Sequence, residues 1–355
     1  MHHKTFFEPI TLTDDVTLKN RFVMAPMTRK LTPEGIPNED LVTYYELRAK
    51  GGLGLIITEG ITVSHQTASN SILLPDFTSV DKISGWKKVV AAVHRHDTKI
   101  IAQIWHVGSS RDPKESPFPN TENIDVNTVS ESTIQDLIKS FADTAKIAKE
   151  IGFDGVEIHA AHGYLIDEFL WKDTNHRTDS YGGNISKRTK LLNDIVENCR
   201  KETGKNFLIT VRISQWKISN FEAKIANNPS ELEELINAVS DEVDVFHCST
   251  RRFWQAEFEG SQLNLAGWVK RISSKPTITV GSVGLNGEFL AALIEGKGAE
   301  LAKIDLLTEK MENNEFDMVA LGRTLIANPD WVNLLKEKKQ NEMISFDANM
   351  LQTLL

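Results

Sequence analysis

Gly155-Val-Glu-Ile-His-Ala-Ala-His-Gly-Tyr164 opens as a short apolar run and closes on two histidines and a tyrosine. A β-rich run of this kind, without strict polar alternation, suits a strand buried on both faces of a parallel sheet. Working outward, seven more such runs appear. They are Phe22-Val-Met-Ala-Pro-Met27, Leu55-Ile-Ile-Thr58, Ile100-Ile-Ala-Gln-Ile104, Leu208-Ile-Thr-Val211, Val243-Asp-Val-Phe246, Thr277-Ile-Thr-Val280 and Asp317-Met-Val-Ala-Leu321. Between them lie helical patterns near residues 40–50, 84–96, 134–151, 187–203, 230–239, 265–272 and 325–338. The clearest carries Ile134, Leu137, Ile138, Phe141, Ala145 and Ala148 at spacings of three and four. Ser132 and Gln135 form a capping-box pattern at its start, and Gly152 ends it. Eight alternations of strand and helix predict a (β/α)₈ TIM barrel. The competing open, doubly wound sheet would place Gly-x-Gly-x-x-Gly after the first strand, and no such motif stands there.

The 355 residues fit one barrel with additions. The expectation is a single domain over residues 1–355, with an N-terminal lid at about 7–19 across the barrel bottom and a C-terminal tail after about 340. A formal charge of −9, with scattered lysines and arginines, argues against nucleic acid as partner. No apolar run approaches the roughly 18 residues of a membrane span, and the N-terminus lacks a signal-peptide core. Two cysteines, Cys199 and Cys248, are too few for a disulfide framework. A reducing, cytoplasmic setting is the expectation.

Barrel enzymes place their chemistry at the C-terminal ends of the strands. Those ends carry Pro26-Met27-Thr28, Gln103 and Trp105, His159, Arg212, Gly281-Ser282 with Gly284, and Gly322-Arg323. The glycine-rich turn after the seventh strand and the arginine after the eighth suit a phosphate. His159 and His162, read at helical spacing as sharing a face, offer imidazole N–H groups to a ligand oxygen, and Tyr164 offers a phenol proton. Gln103 and Arg212, polar groups on buried strands, need partners that a cofactor ring would supply. Trp105 reads equally as core or as a pocket wall. The loop at 111–127 and the segment Arg251-Arg-Phe-Trp254 lie on the same face.

Taken with their neighbours, these residues resemble the old yellow enzyme family. Asn20-Arg-Phe-Val-Met-Ala-Pro-Met-Thr-Arg29 is similar to its opening strand, and Asp154 to Leu170 is close to its signature. Asn175-His-Arg-Thr-Asp-Ser-Tyr-Gly-Gly183, Val211-Arg-Ile-Ser214, Ile278-Thr-Val-Gly281 and Ala320-Leu-Gly-Arg323 follow in order. The resemblance implies non-covalent FMN. Thr28 and Gly60 would approach the flavin edge, with Pro26 and Met27 beside it. Gln103 would bond the pyrimidine side, Arg212 would stand by the N1–C2 oxygen region, and Gly281, Ser282, Gly322 and Arg323 would hold the phosphate. It implies NADPH or NADH as reductant and an electron-poor alkene as second substrate, in a ping-pong sequence. His159 and His162 would hold the alkene's carbonyl or nitro oxygen, Trp105 would line the pocket, and Tyr164 would protonate the α-carbon.

Ser109, Lys30 and Gln215-Trp216 depart from the family pattern, and residues 291–314 look expanded. These departures surround the pocket and bear on substrate rather than on reaction. Two alternatives stay open: a metal-dependent barrel hydrolase or lyase using His159 and His162, and a non-catalytic flavin-binding protein. No metal ligand is expected among the site residues. The oligomeric state, a homo-oligomer included, is open.

Overall fold

The computed structural model describes residues 3–239, 241–287 and 295–354. Eight parallel strands close into a barrel. In chain order they are β3 (Phe22–Met24), β4 (Leu55–Thr62), β5 (Lys99–Trp105), β6 (Gly155–His162), β7 (Leu208–Lys217), β8 (Val245–Ser249), β9 (Thr277–Val280) and β10 (Met318–Leu321), with β10 pairing back onto β3. Each falls on one of the eight apolar runs, but four extend well past theirs. The segment 243–246 is the one that shifts, to 245–249.

The outer layer contains α1 (Glu39–Lys50), α2 (Val80–His94), α3 (Glu131–Ile151), α4 (Leu165–Leu170), α5 (Ile185–Arg188), α6 (Lys190–Thr203), α7 (Pro229–Asn237), α8 (Leu265–Ser273), α9 (Asp305–Glu312), α10 (Arg323–Ala327) and α11 (Trp331–Lys336). Helix α3 starts three residues before the expected position. Its cap is Ser130, whose side chain accepts from the Thr133 N–H, rather than Ser132. Ser130 has the extended backbone that a cap needs, and Gln135 turns its amide to the Tyr181 hydroxyl instead. Gly152 ends the helix at φ 109°, a left-handed conformation natural to glycine. The expected helix at 325–338 is two pieces, because Pro329 has no N–H for a continuing helix. The helix at 187–203 likewise divides at Thr189. The first four residues of the expanded 291–314 stretch lie outside the described residues.

Two apolar layers hold the barrel. The larger packs the outward faces of the strands against the helices. The smaller fills the N-terminal end of the barrel with Val23, Leu55, Ile57, Ile101, Leu208, Val245, Ile278, Met318 and Ala320. An antiparallel hairpin, β1 (Ile10–Thr13) and β2 (Val16–Leu18), inserts Val16 and Leu18 into that layer. The hairpin lies within residues 7–19, and the layer it joins is at the end opposite the polar strand termini. At the other end the tail returns over β3. Phe346 and Ala299 exchange backbone hydrogen bonds, and Arg29 donates to the carbonyls of Met350, Leu351 and Thr353. No helix among the described residues is long and apolar enough to cross a membrane.

Candidate active site

Register decides which side chains meet at the polar end. Gln103 on β5 is level with Glu157 on β6. His159 is level with Arg212 on β7, and Arg212 with His247 on β8. Below the mouth, the Gln103 amide donates to Glu157 Oε1 at 2.8 Å, and Glu157 Oε2 meets His247 Nδ1 at 2.7 Å. All three side chains are buried. A buried carboxylate is costly unless paired. Burial works to raise the Glu157 carboxyl, but His247, Arg212 and Gln103 outweigh it and hold it below the usual range. Gln103 therefore already has a protein partner for its N–H, and its carbonyl oxygen is the end left to face a ligand.

His159 and His162 do not share a helical face. Both lie on β6, where residues three apart point to opposite sides of a regular strand. A register irregularity between Ala160 and His162, with His162 at φ 67°, turns the second ring back beside the first. The ring centroids are 5.1 Å apart, edge to face. Each imidazole is backed by an indole: Trp105 stacks on His159 at 5.9 Å, and Trp216 lies on His162 at 4.4 Å. Burial drives both histidines well below their ordinary pKa, and the Arg212 charge drives them further. They are neutral at physiological pH. The Ala161 N–H points at His159 Nδ1 at 3.3 Å, and His162 Nε2 meets Ser249 Oγ at 2.8 Å.

Tyr164 caps the turn between β6 and α4. Its ring stands edge-on to Trp105 at 4.7 Å and to His159 at 4.9 Å. Burial pushes its phenol up to about 12, against a smaller opposing pull from Arg212. The turn is held from beneath by a fully buried pair, Lys217 Nζ to Asp167 Oδ1 at 2.7 Å, while Asp167 Oδ2 accepts from the Gly163 N–H at 2.6 Å.

Arg212 is buried, and its Nε has no hydrogen-bond partner among the described residues. Its one side-chain hydrogen bond among the described residues is a long one to Ser249 Oγ at 3.4 Å. A buried guanidinium with unspent donors calls for an electron-rich group above it. At the expected phosphate end the chain passes through positive φ at Gly281 (147°), Ser282 (51°) and Gly284 (74°). A Cβ at Gly281 would stand 2.7 Å from the Thr250 carbonyl oxygen, so only glycine fits there. Thr324 of α10 ties to the Val283 carbonyl at 2.5 Å, which brings the turns after β9 and β10 together. Gly322 opens toward Met27, and Arg323 donates to the Gly287 carbonyl. A glycine-rich cradle, a donor-rich buried arginine and an amide oxygen in one barrel mouth suit the phosphate and the polar ring edge of FMN.

The structure gives Gly60 a further reason for being glycine: a Cβ there would meet the Trp105 indole at 2.6 Å. Thr28 follows the end of β3, and the next residue donates its N–H to buried Glu59. Burial lifts the Glu59 carboxyl to about 7. Ser109 donates through N–H and hydroxyl to Glu168. Gln215 accepts from the N–H groups of Ile225 and Ala226, pinning the loop that follows β7. Arg251 lies over Phe221 and Phe253 is buried, whereas Trp254 of the same segment is exposed. Sequence reasoning missed His247, Ser249, Trp216 and the pairing role of Glu157. The signal for two of them was available. Extending the sixth strand to Ser249 puts His247 and Ser249 on one face by the two-residue period. Among the described residues, no group of three or more His, Cys, Asp or Glu gathers in metal-ligand geometry.

A barrel with this mouth defines a flavin-dependent oxidoreductase. The model of the NADH:flavin oxidoreductase / NADH oxidase family matches residues 5–342, and the chain belongs to that family. It is 31% identical to an NADPH dehydrogenase of Clostridium acetobutylicum, with 96% of each chain covered. It is also 31% identical to an NADH oxidase of Thermoanaerobacter brockii, over 93% of this chain but only 50% of that protein's length. Among solved structures, morphinone reductase in complex with tetrahydroNAD superposes with a TM-score of 0.80 at 24% identity, covering 98% of this chain and 93% of that one. An old yellow enzyme homologue from Zymomonas mobilis gives 0.77, also at 24% identity, over 98% and 96%. These two likenesses speak for the fold. The protein is an NAD(P)H-dependent flavin oxidoreductase of the old yellow enzyme family, with non-covalent FMN as its cofactor.

Proposed function

We propose that this enzyme reduces the activated C=C bond of α,β-unsaturated carbonyl or nitro compounds, NAD(P)H and the alkene using the same site in turn. The observation that carries the reading is the convergence of the His159, His162 and Tyr164 rings, with Trp105 packed on His159 and Tyr164. FMN, held in this mouth, would supply the hydride-transfer chemistry between NAD(P)H and the alkene β-carbon. The two imidazoles hold the carbonyl or nitro oxygen, so negative charge that develops there meets fixed donors. Tyr164 supplies the proton that completes the α-carbon, and its high pKa keeps that proton available. Pro26, Met27, Thr28, Gly60, Gln103 and Arg212 would hold the ring side of the cofactor, and Gly281, Ser282, Gly322 and Arg323 its phosphate. Trp105 walls the substrate pocket. A cinnamate reductase of Clostridium sporogenes is 28% identical over 96% of this chain and 54% of that protein's length.

The test is anaerobic stopped-flow on the two half-reactions. NAD(P)H should bleach the yellow protein, and an enone, maleimide or nitroalkene should restore the colour. Tyr164→Phe should slow recolouring by about a hundredfold, within the usual range for a lost general acid, and leave bleaching largely intact. Failure of every activated alkene to restore colour defeats the proposal. Equal loss in both half-reactions rejects Tyr164 as proton donor.

A further inference from the structure

If two imidazoles are each to donate to one ligand oxygen, each must carry its single proton on the nitrogen facing the ligand. For His159 the backbone arranges this: the Ala161 N–H occupies Nδ1, so the ring proton sits on Nε2. Among the described residues, His162 has no such backbone donor on its ring. Its Nε2 faces Ser249 Oγ at 2.8 Å. Its Nδ1 is neither hydrogen-bonded nor sealed off among the described residues.

The direction of the Ser249 bond follows from its second neighbour. Ser249 is 3% exposed, and its Oγ lies 3.4 Å from Arg212 Nη2. Arginine only donates, so Oγ accepts there. If His162 Nε2 donated as well, the buried hydroxyl proton would have no acceptor among the described residues. That is a penalty sufficient to bias the tautomer by roughly tenfold or more. We propose that Ser249 is a positioning residue: its hydroxyl, oriented by Arg212, donates to Nε2 of His162 and holds that ring with its proton on Nδ1, facing the ligand oxygen shared with His159. The tautomer is a property of the protein alone. Only its use in turnover rests on the function proposed above.

The experiment uses the FMN-loaded protein with ¹⁵N-labelled histidine. Long-range ¹H–¹⁵N correlation distinguishes the two tautomers, and the His162 signals are assigned by their loss in His162→Asn. The wild type should show His162 with Nδ1 protonated. Ser249→Ala should move the population toward Nε2 and slow alkene-dependent recolouring about tenfold, and Ser249→Thr, which keeps the hydroxyl, should hold the wild-type tautomer. Nε2 protonation in the wild type, or an unchanged tautomer in Ser249→Ala, overturns the assignment. Nδ1 protonation that depends on Ser249, in a protein that reduces no activated alkene, upholds the assignment and defeats the proposed reaction instead.

Discussion

At the scale of single residues, the chemistry of this mouth is set by protonation states that burial controls. The histidines are held neutral well below the usual range, so lowering the pH charges them later than in free imidazole. The Tyr164 phenol is raised to about 12, so raising the pH deprotonates it later. Both shifts widen the working window in opposite directions. The rate of the alkene step, followed by stopped-flow, should therefore be flat between about pH 6 and pH 9, with no inflection near the ordinary histidine value of about 6.5. An inflection there that persists in Glu59→Gln, whose carboxyl burial lifts to about 7, would mean that His159 or His162 ionises in the working range. The identities of these groups were legible in the sequence, because polar side chains at strand ends stand out against apolar runs. Their pKa values were not. They depend on Trp105, Trp216 and Arg212, each brought from another part of the chain.

At the scale of elements, the decisive feature is the irregular end of β6 and the turn into α4. Lys217, at the end of β7, lies opposite His162, and its fully buried pair with Asp167 supports the turn that presents Tyr164. Lys217→Met would leave Asp167 buried and unpaired, and should cost about 3–5 kcal/mol, read as a fall in the thermal unfolding midpoint. Adding Asp167→Leu should recover much of that loss, since an apolar pair of similar volume removes the uncompensated charge. The alternation of strands and helices was readable from periodicity, as were the α3 face and its Gly152 stop. The bulge was not. It depends on pairing with β7, and the local pattern of two histidines three apart fits a helix equally well.

Across the whole molecule, the two ends of the barrel divide stability from chemistry. The β1–β2 hairpin closes the N-terminal end, where Leu18 is fully buried among Val23, Leu55 and their neighbours. Leu18→Ala should cost about 2–5 kcal/mol, the range for a truncated core leucine, measured by thermal or denaturant unfolding. FMN content and turnover of the folded protein should stay at the wild-type level, because the site is at the opposite end. Sequence alone determined the barrel and the polar residue types that stand at the C-terminal ends of its strands. Periodicity, strand ends and turn glycines are local features. Tertiary structure alone decided how those residues act on one another. The histidines meet through a bulge, Glu157 finds His247 across the barrel, and Ser249 reaches His162 from 87 positions away. Such contacts arise from register and closure, which no stretch of sequence expresses by itself.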